Sequence, residues 1–483
     1  MTTTQPRPGG IEVRSIDYVP LAERHGKVWH LGPLWFMSNA QIATLAVGLI
    51  SISEGGSLFW SVIAIATGTL IGTLFMAFHS AQGPQLGLPQ MIQSRAQFGY
   101  LGALLVWLFA YVQYAGFNVF NSILAGDSMS RTVHGGTKVW VVIVTIVAFV
   151  VALVGYDLIH RAEQFLTYAM LAIFGVFTIA LFLVHYPSGT FDLGTFKPTP
   201  FFGQFGVVAG YQISWAIYVS DYSRYMPPDV TVRRTFYWTY WGSAIGGAWM
   251  MIVGSVLAAW AGKSFDGSGI AEIDKVGDHI FSGFGAIVLI LAALGLVSVM
   301  ALNMYGGSLT LISAIDSFTK MRPTVAIRVF TIGLTGVLSV IGALAATAHF
   351  LTYFNDFLLL ILYLFIPWTA VNLVDYYVVR RGHYAIAEIF NPNGMYGRWG
   401  WRGIGAYLIG FLAMTPFFSV GTAYVGWVAH KLGGADISFF VGLPVAGLLY
   451  YLFSRSIDVA AEVRVARAEA DDLEPAAAQH ERP

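Results

Sequence analysis

Between Trp35 and Gly48 the run WFMSNAQIATLAVG places Ser38, Asn39 and Gln41 within four positions of otherwise apolar sequence. A second run, VVAGYQISWAIYVSDYSRY, carries Gly210, Gln212, Ser214 and Trp215. Hydroxyls and carboxamides in hydrocarbon cost free energy unless they are hydrogen-bonded. Two arrangements meet that demand: the side chains line a polar cavity, or they bind neighbouring helices to one another. Carboxamides suit either, because one side chain offers donors and an acceptor. Three such groups within one turn, echoed in a second run, favour a cavity.

The elements that must hold these residues are membrane helices. The chain of 483 residues is 56% hydrophobic and 11% charged, less than half the charge of an average soluble domain at about 25%. Its apolar residues come in runs of roughly 20, the length that spans a bilayer as helix. Twelve spans are expected near 31–53, 57–79, 100–126, 138–155, 162–185, 203–221, 236–261, 282–316, 324–346, 350–378, 403–421 and 437–454. The eighth is long enough to require tilt or an extension beyond the bilayer.

Lysine and arginine set the orientation. With both termini cytoplasmic, the outer loops hold six (Arg131, Lys138, Lys197, Lys263, Lys275 and Lys431) and the inner loops twelve, with eight more in the tails. The N-terminus lacks a signal peptide's apolar core and cleavage site, so the first run is expected to persist as a mature helix. Residues 455–483 alternate charge with alanine and read as a solvated, partly disordered tail. A neutral net charge argues against nucleic acid as a partner, and the absence of cysteine excludes disulfides and thiolate metal sites.

The first and sixth spans are five apart, and both carry small and polar residues at mid-membrane. Interrupted helices at matching positions of two halves point to an inverted-repeat transporter. The amide groups freed by unwinding are tolerated where they line a cavity. Breaks are expected around Asn39 and Gln212.

Five further pieces carry a resemblance. They are GPLWF followed by Gln41, GPQLGLPQMIQSRAQFG at 83–99, QYAGFNVFN in the third span, SDYSRY closing the sixth and PWTAVNLVDYYVVRR ending the tenth. In these pieces, over roughly residues 11–455, the chain resembles the nucleobase–cation symporter family. That family includes cytosine, purine, uracil, allantoin, hydantoin and thiamine permeases, and the cytosine–purine branch is the most similar. The resemblance implies an all-α, LeuT-like membrane protein. Residues 1–30 would be a cytoplasmic tail, 31–185 one five-helix repeat, 203–378 its inverted counterpart, and 403–454 two trailing helices. It implies a monomer in the plasma (inner) membrane.

The resemblance also implies roles for single residues. Gln113 and Asn303 would bond the ring edge of a base, with Ser214 where cytosine-type relatives use serine. Gln41, with Ser38 or Asn39, would line the same cavity. Phe109, one turn before Gln113, would stack on the ligand, with Trp215 as a second aromatic; Gln212 and Asn118 complete the set. Val299 and Met300 stand where relatives carry asparagines, which removes contacts to the base edge. A purine or another large heterocycle is therefore as plausible as cytosine.

The coupling ion is H+ or Na+, and no other cofactor is expected. A sodium cage would use main-chain oxygens near Met37, Ala40 and Leu294 with the Ser298 hydroxyl. Sodium-using relatives have two adjacent hydroxyls where this chain has Val297 and Ser298, and the loss favours a proton. Asp356, a carboxylate at the start of an apolar span, is a candidate proton carrier. It also fits a helix cap or a residue of the external vestibule.

Other classes fit poorly. The eleven histidines are scattered, with no metal-like pair, which argues against a membrane enzyme. No filter loop or continuous charged lining marks a channel. No Gly-Lys phosphate loop marks an ATP-driven pump.

Overall fold

The computed structural model describes residues 17–154, 156–265, 267–319, 324–421 and 423–479. Lys320 and Arg322, and the tail ends 1–16 and 480–483, lie outside the described residues, as do the side chains of Asp157, His160 and Arg161. Helix occupies each of the twelve apolar stretches. Among the described residues six helices are long and apolar enough to cross a membrane, or seven if the bent first pair is one span. The second stretch is helical over Leu58–Ser80, the third over Leu104–Val133, the fourth over Thr137–Val154 and the fifth over Tyr156–Ala180. The seventh covers Val232–Ala261, the eighth Phe284–Asp316, the ninth Val325–Ala346, the tenth Phe350–Val374, the eleventh Trp401–Met414 and the twelfth Ser438–Phe453.

Local chemistry sets several boundaries. Ser57, Thr231 and Thr324 cap their helices by accepting from the backbone N–H three residues on, satisfying donors that a helix start leaves free. Pro367 sits inside the tenth helix, which ends in a π-turn over Asp375–Val379. A short hairpin pairs Ser419–Val420 with Tyr424–Val425.

Packing sorts the helices into two groups. The first, second, sixth and seventh stretches pack together, and so do the third, fourth, eighth and ninth. The first and seventh meet backbone to backbone: a Cβ at Gly254 would collide with the Leu45 carbonyl, and one at Gly48 with that of Met251. Small residues permit this approach, and in a membrane close van der Waals contact substitutes for hydrophobic drive.

The C-terminal segment departs from the expected solvated tail. It is helical over Val459–Gln479, and Glu462 is 5% exposed. Arg380 donates to both Glu462 oxygens, at 2.8 and 3.0 Å, and to Asp375. Asp375 also accepts from Gln97 at 2.6 Å, Tyr384 at 2.7 Å and Tyr450 at 2.8 Å. Charge alternation conceals such docking, because one glutamate finds a buried guanidinium 82 residues away.

Candidate substrate site

The first stretch breaks where its polar triplet lies. Helix Leu31–Asn39 ends at Ala40, Gln41 is extended, and a second piece starts at Ile42. The two arms, Val28–Asn39 and Ile42–Ser53, meet at 63°. The triplet takes up backbone carbonyls around the break. Ser38 Oγ donates to the Leu34 carbonyl at 2.9 Å, Asn39 Nδ2 to that of Trp35 at 2.8 Å, and Gln41 Nε2 to that of Ser38 at 2.8 Å. A break in hydrocarbon needs such internal partners.

The sixth stretch is interrupted later than the polar pattern implied. Helix Pro198–Ser214 runs through Gln212 without a break. A 3-10 turn over Trp215–Ile217 follows, Tyr218 leaves helical geometry at φ −138°, and a short helix covers Val219–Ser223. The expected break at Gln212 is therefore displaced to Tyr218. Gln212 lies within regular helix, and its amide is engaged sideways.

That sideways engagement also corrects the roles of Asn39 and Gln212. Ser243 Oγ donates to Gln212 Oε1 at 2.8 Å, Asn39 Nδ2 to Ser243 Oγ at 3.1 Å, and Gln212 Nε2 to Asn39 Oδ1 at 3.4 Å. Both carboxamides have no exposure. They join the first, sixth and seventh stretches to one another and are spent there.

Other polar atoms near the two breaks are buried without a partner among the described residues, including Gln41 Oε1, Gln113 Oε1 and Trp215 Nε1, with Trp35 Nε1 beside the last. Gln113 Nε2 donates to the Ser214 carbonyl at 3.0 Å, so the third stretch holds the end of the sixth helix. The Ser214 hydroxyl turns back to the Tyr211 carbonyl at 2.7 Å, which leaves its main chain rather than its side chain facing Gln113. The Tyr211 hydroxyl meets Thr44 Oγ1 at 2.6 Å and adjoins the Gln41 amide. Buried groups of this kind are ordinarily paired; Gln41 and Trp215 stand at the two breaks, and Gln113 reaches the second from the unbroken third helix.

Aromatic rings enclose this set, though not all of those expected. Trp215 stands edge-on to Tyr211 at 5.9 Å, Tyr218 at 5.8 Å and Trp35 at 5.7 Å. Tyr114 stacks on Tyr218 at 5.6 Å, and the Tyr218 hydroxyl adjoins the Gln113 amide. Phe109 instead stacks on Tyr407 of the eleventh stretch at 5.4 Å and abuts Phe365 of the tenth at 6.4 Å. It packs against the trailing helices, which removes it from the ring sandwich. Tyr114 and Tyr218 escaped sequence reading, and the one available signal was a tyrosine beside each polar cluster.

Asn118 and Asn303 clasp each other: Asn303 Nδ2 donates to Asn118 Oδ1 at 3.0 Å, and Asn118 Nδ2 to the Met300 carbonyl at 3.1 Å. Asn118 is fully buried in this bond, while Asn303 is half-buried.

The residues expected for a cation cage lie on helices that pack mainly on other partners. The eighth helix packs chiefly on the third, fourth, fifth and ninth, whereas the first packs on the seventh. Leu294 and Ser298 belong to one uninterrupted helix, and the Leu294 side chain is 48% exposed. The Met37 carbonyl already accepts from Ala40 N at 3.0 Å. The break at Ala40 and the Ser298 hydroxyl are thus carried by elements that are not principal neighbours.

Asp356 lies two turns into the tenth helix, beside Gly421 and bonded by Asn355 at 3.5 Å. Its electrostatic neighbour is Glu54, at the far end of the first stretch, whose carboxyl is pushed up to about 7 by burial and secondarily by Asp356. This places Asp356 at a rim with Glu54. At the end of the molecule formed by the 127–137, 267–271 and 347–352 segments, a cavity of about 770 Å3 includes Asp127, Arg131, His134 and His349. None of the expected substrate residues lines it.

Comparison with known proteins agrees with this architecture. Residues 18–442 match the family described as "Permease for cytosine/purines, uracil, thiamine, allantoin". "Putative purine-cytosine permease YxlA" of Bacillus subtilis (strain 168) is 38% identical over 445 residues, 92% of this chain and 96% of that protein. The fold is that of Mhp1. Its inward-facing conformation superposes with a TM-score of 0.76 at 18% identity, covering 97% of this chain and 98% of Mhp1. Its closed conformation with bromovinylhydantoin bound, described as a nucleobase-cation-symport-1 family transporter, gives 0.70 at 19% identity, covering 95% and 99%. An all-helical membrane transporter with a broken first helix, matched along most of its length, this chain belongs to the cytosine/purine, uracil, thiamine and allantoin permease family.

Proposed function

We propose that the protein is a secondary active transporter that imports a nucleobase or similar planar heterocycle by proton symport through alternating access. Twelve spans form two inverted five-helix repeats with two trailing helices, and both termini are cytoplasmic. The two packing groups support the repeat, since each joins a helix pair from one half to the equivalent pair, five stretches on, in the other. The arrangement serves as a monomer in the plasma (inner) membrane.

The observation that carries the reading is the trio of unpartnered atoms, Gln41 Oε1, Gln113 Oε1 and Trp215 Nε1. Two acceptors and a donor match the alternating edge of a purine or pyrimidine, and a base–aromatic contact adds about 1–3 kcal/mol. Tyr218, Tyr114 and Trp215 supply the ring faces. Asn303 extends the edge contacts from the eighth helix, and the Ser214 main chain positions Gln113. Proton coupling is favoured over sodium because the single hydroxyl of Ser298 lies on a helix that is not a principal neighbour of the first-stretch break.

The test is uptake of radiolabelled bases in cells expressing Gln113→Ala. Uptake at least tenfold weaker at normal membrane abundance is expected, and unchanged uptake removes Gln113 from the site. A thermal-shift screen of the purified protein against purines, pyrimidines, hydantoins and vitamins, with and without sodium, identifies the ligand. Binding to the folded state raises stability by mass action. Sodium that sharpens the ligand shift at constant pH would reverse the choice of ion.

A further inference from the structure

The second helix ends in a histidine that nothing in the substrate site uses. His79 has no exposure. Its Nδ1 lies 2.8 Å from the Phe75 carbonyl; a carbonyl only accepts, so Nδ1 carries the hydrogen and Nε2 a lone pair. That Nε2 is buried without a partner. The ring stacks on Trp368 of the tenth helix at 4.7 Å and 23°.

The surroundings connect this ring to the sixth-stretch break. Ser220 Oγ, two residues after Tyr218, lies 2.9 Å from the His79 carbonyl and 2.5 Å from Gln90 Oε1 and shares its one hydrogen between them. Gln90 Nε2 donates to Gln82 at 3.2 Å, and Gln82 to Asn372 of the tenth helix at 2.8 Å. Trp368 Nε1 is held by Ser94 at 3.0 Å. The GPQLGLPQMIQS segment, otherwise a structured turn, therefore ties the broken sixth stretch, the end of the second helix and the tenth helix together around one imidazole.

Ionisable groups lie on each neighbouring element. They are Asp221 and Tyr222 after the break, Tyr240 on the seventh helix, Asp375 and Tyr377 at the end of the tenth, and Arg95 beyond the turn. Asp221 accepts from Gln90 N at 3.0 Å, Asp375 is bonded to Arg380, and the Tyr377 hydroxyl donates to the Phe78 carbonyl. Among the described residues no carboxylate bonds Nε2, and the ring's stacking partner is Trp368, whose face attracts a cation.

Resting on the proton-symport reading above, we propose that His79 Nε2 is the binding site of the co-transported proton. The proton comes from water on the outer side, adds to the Nε2 lone pair, and leaves as the same ion to the cytoplasm. No bond other than N–H is made or broken. Protonation strengthens the contact between the second and tenth helices and turns Nε2 from an acceptor into a donor. The stack on Trp368 passes this change to the tenth helix, which the Asn372–Gln82–Gln90–Ser220 hydrogen bonds join to the segment that follows Tyr218, and so links ion and base occupancy.

The test uses the full chain in proteoliposomes containing a pH-sensitive dye, with radiolabelled cytosine and hypoxanthine as probes. Under an inward proton gradient the wild type is expected to accumulate a base and acidify the lumen. H79Q, whose amide can still donate to the Phe75 carbonyl, is expected to lose accumulation and acidification at least tenfold, while base-for-base exchange, which moves no net proton, continues. H79N serves as the second variant. H79Q that accumulates and acidifies like the wild type overturns the proposal, as does a wild type that carries the base without acidifying the lumen.

A second measurement needs no substrate. The fluorescence difference between wild type and W368F is followed from pH 8 to pH 3.5. A protonated imidazole stacked on indole is expected to quench it, and H79Q to remove the pH dependence. A difference flat with pH in the wild type overturns the proposal even if neither base is carried, whereas failure of both bases with the quench intact counts against the substrate reading alone.

Discussion

Gln113 does two things at once: its Nε2 holds the Ser214 carbonyl while its Oε1 stays without a partner. Gln212 is chemically identical and has nothing left to offer, since both ends of its amide are bonded. The aromatic residues divide in the same way. Tyr218 flanks the orphaned atoms, whereas Phe109, 5% exposed, is core between the tenth and eleventh stretches. Tyr218→Leu should therefore weaken base binding at least about fivefold, the low end of a stacking contact worth 1–3 kcal/mol. Phe109→Leu should leave Kd within about twofold and lower Tm, because it creates a cavity in packed structure. Calorimetric binding and thermal unfolding of both variants check the assignment. These residue types were legible as candidates from their isolation in apolar runs. Their direction was not, because whether an amide is spent or free depends on a partner on another helix, 31 residues away for Gln212 and 101 for Gln113.

At the scale of elements, the Asn39–Gln212–Ser243 triad holds three stretches in register, and Gly247 leaves room for it: a Cβ there would collide with Gln212 Nε2. Asn39→Ala should cost roughly 1–3 kcal/mol by leaving buried partners unsatisfied, read as a lower Tm, with base affinity changed less than by Gln113→Ala. Equal loss of affinity in the two variants would return Asn39 to the binding site. The C-terminal helix makes a parallel case. Glu462→Ala takes two hydrogen bonds from a guanidinium that is 4% exposed and leaves Asp375 as its carboxylate partner, and a hydrogen bond to a charged group is worth about 1.5–3 kcal/mol. Glu469, whose contact to Ala387 N at 3.2 Å is exposed, should tolerate alanine. Melting curves of the two variants should separate clearly; coincident curves would make the helix an ornament.

At the scale of the whole molecule, the ends of the spans carry the pH response that reaches solvent. Glu54 is raised from its ordinary 4.5 to about 7, so folding favours its protonated form. Its contribution is complete below about 4.5 and is lost as pH rises through 7. The wild-type Tm should therefore contain a decline between pH 5 and pH 8 that Glu54→Gln lacks. The effect is small, because Glu54 stands at an exposed rim where solvent screens its neighbours. Differential scanning fluorimetry across that range decides it, and identical pH profiles would place the carboxyl in ordinary solution chemistry.

Hydropathy, a local property, determined the twelve apolar stretches, because a helix in hydrocarbon must satisfy its own backbone within one continuous run of sequence. The break in the first stretch was equally local: Ser38, Asn39 and Gln41 bond carbonyls no more than four residues away. The later break at Tyr218, the diversion of Gln212, the docking of the C-terminal helix and the stacking of His79 on Trp368 all depend on partners from other helices. Pairing between distant segments leaves no period in the sequence, so only the tertiary structure decided which polar groups bind the protein to itself and which are left for a ligand.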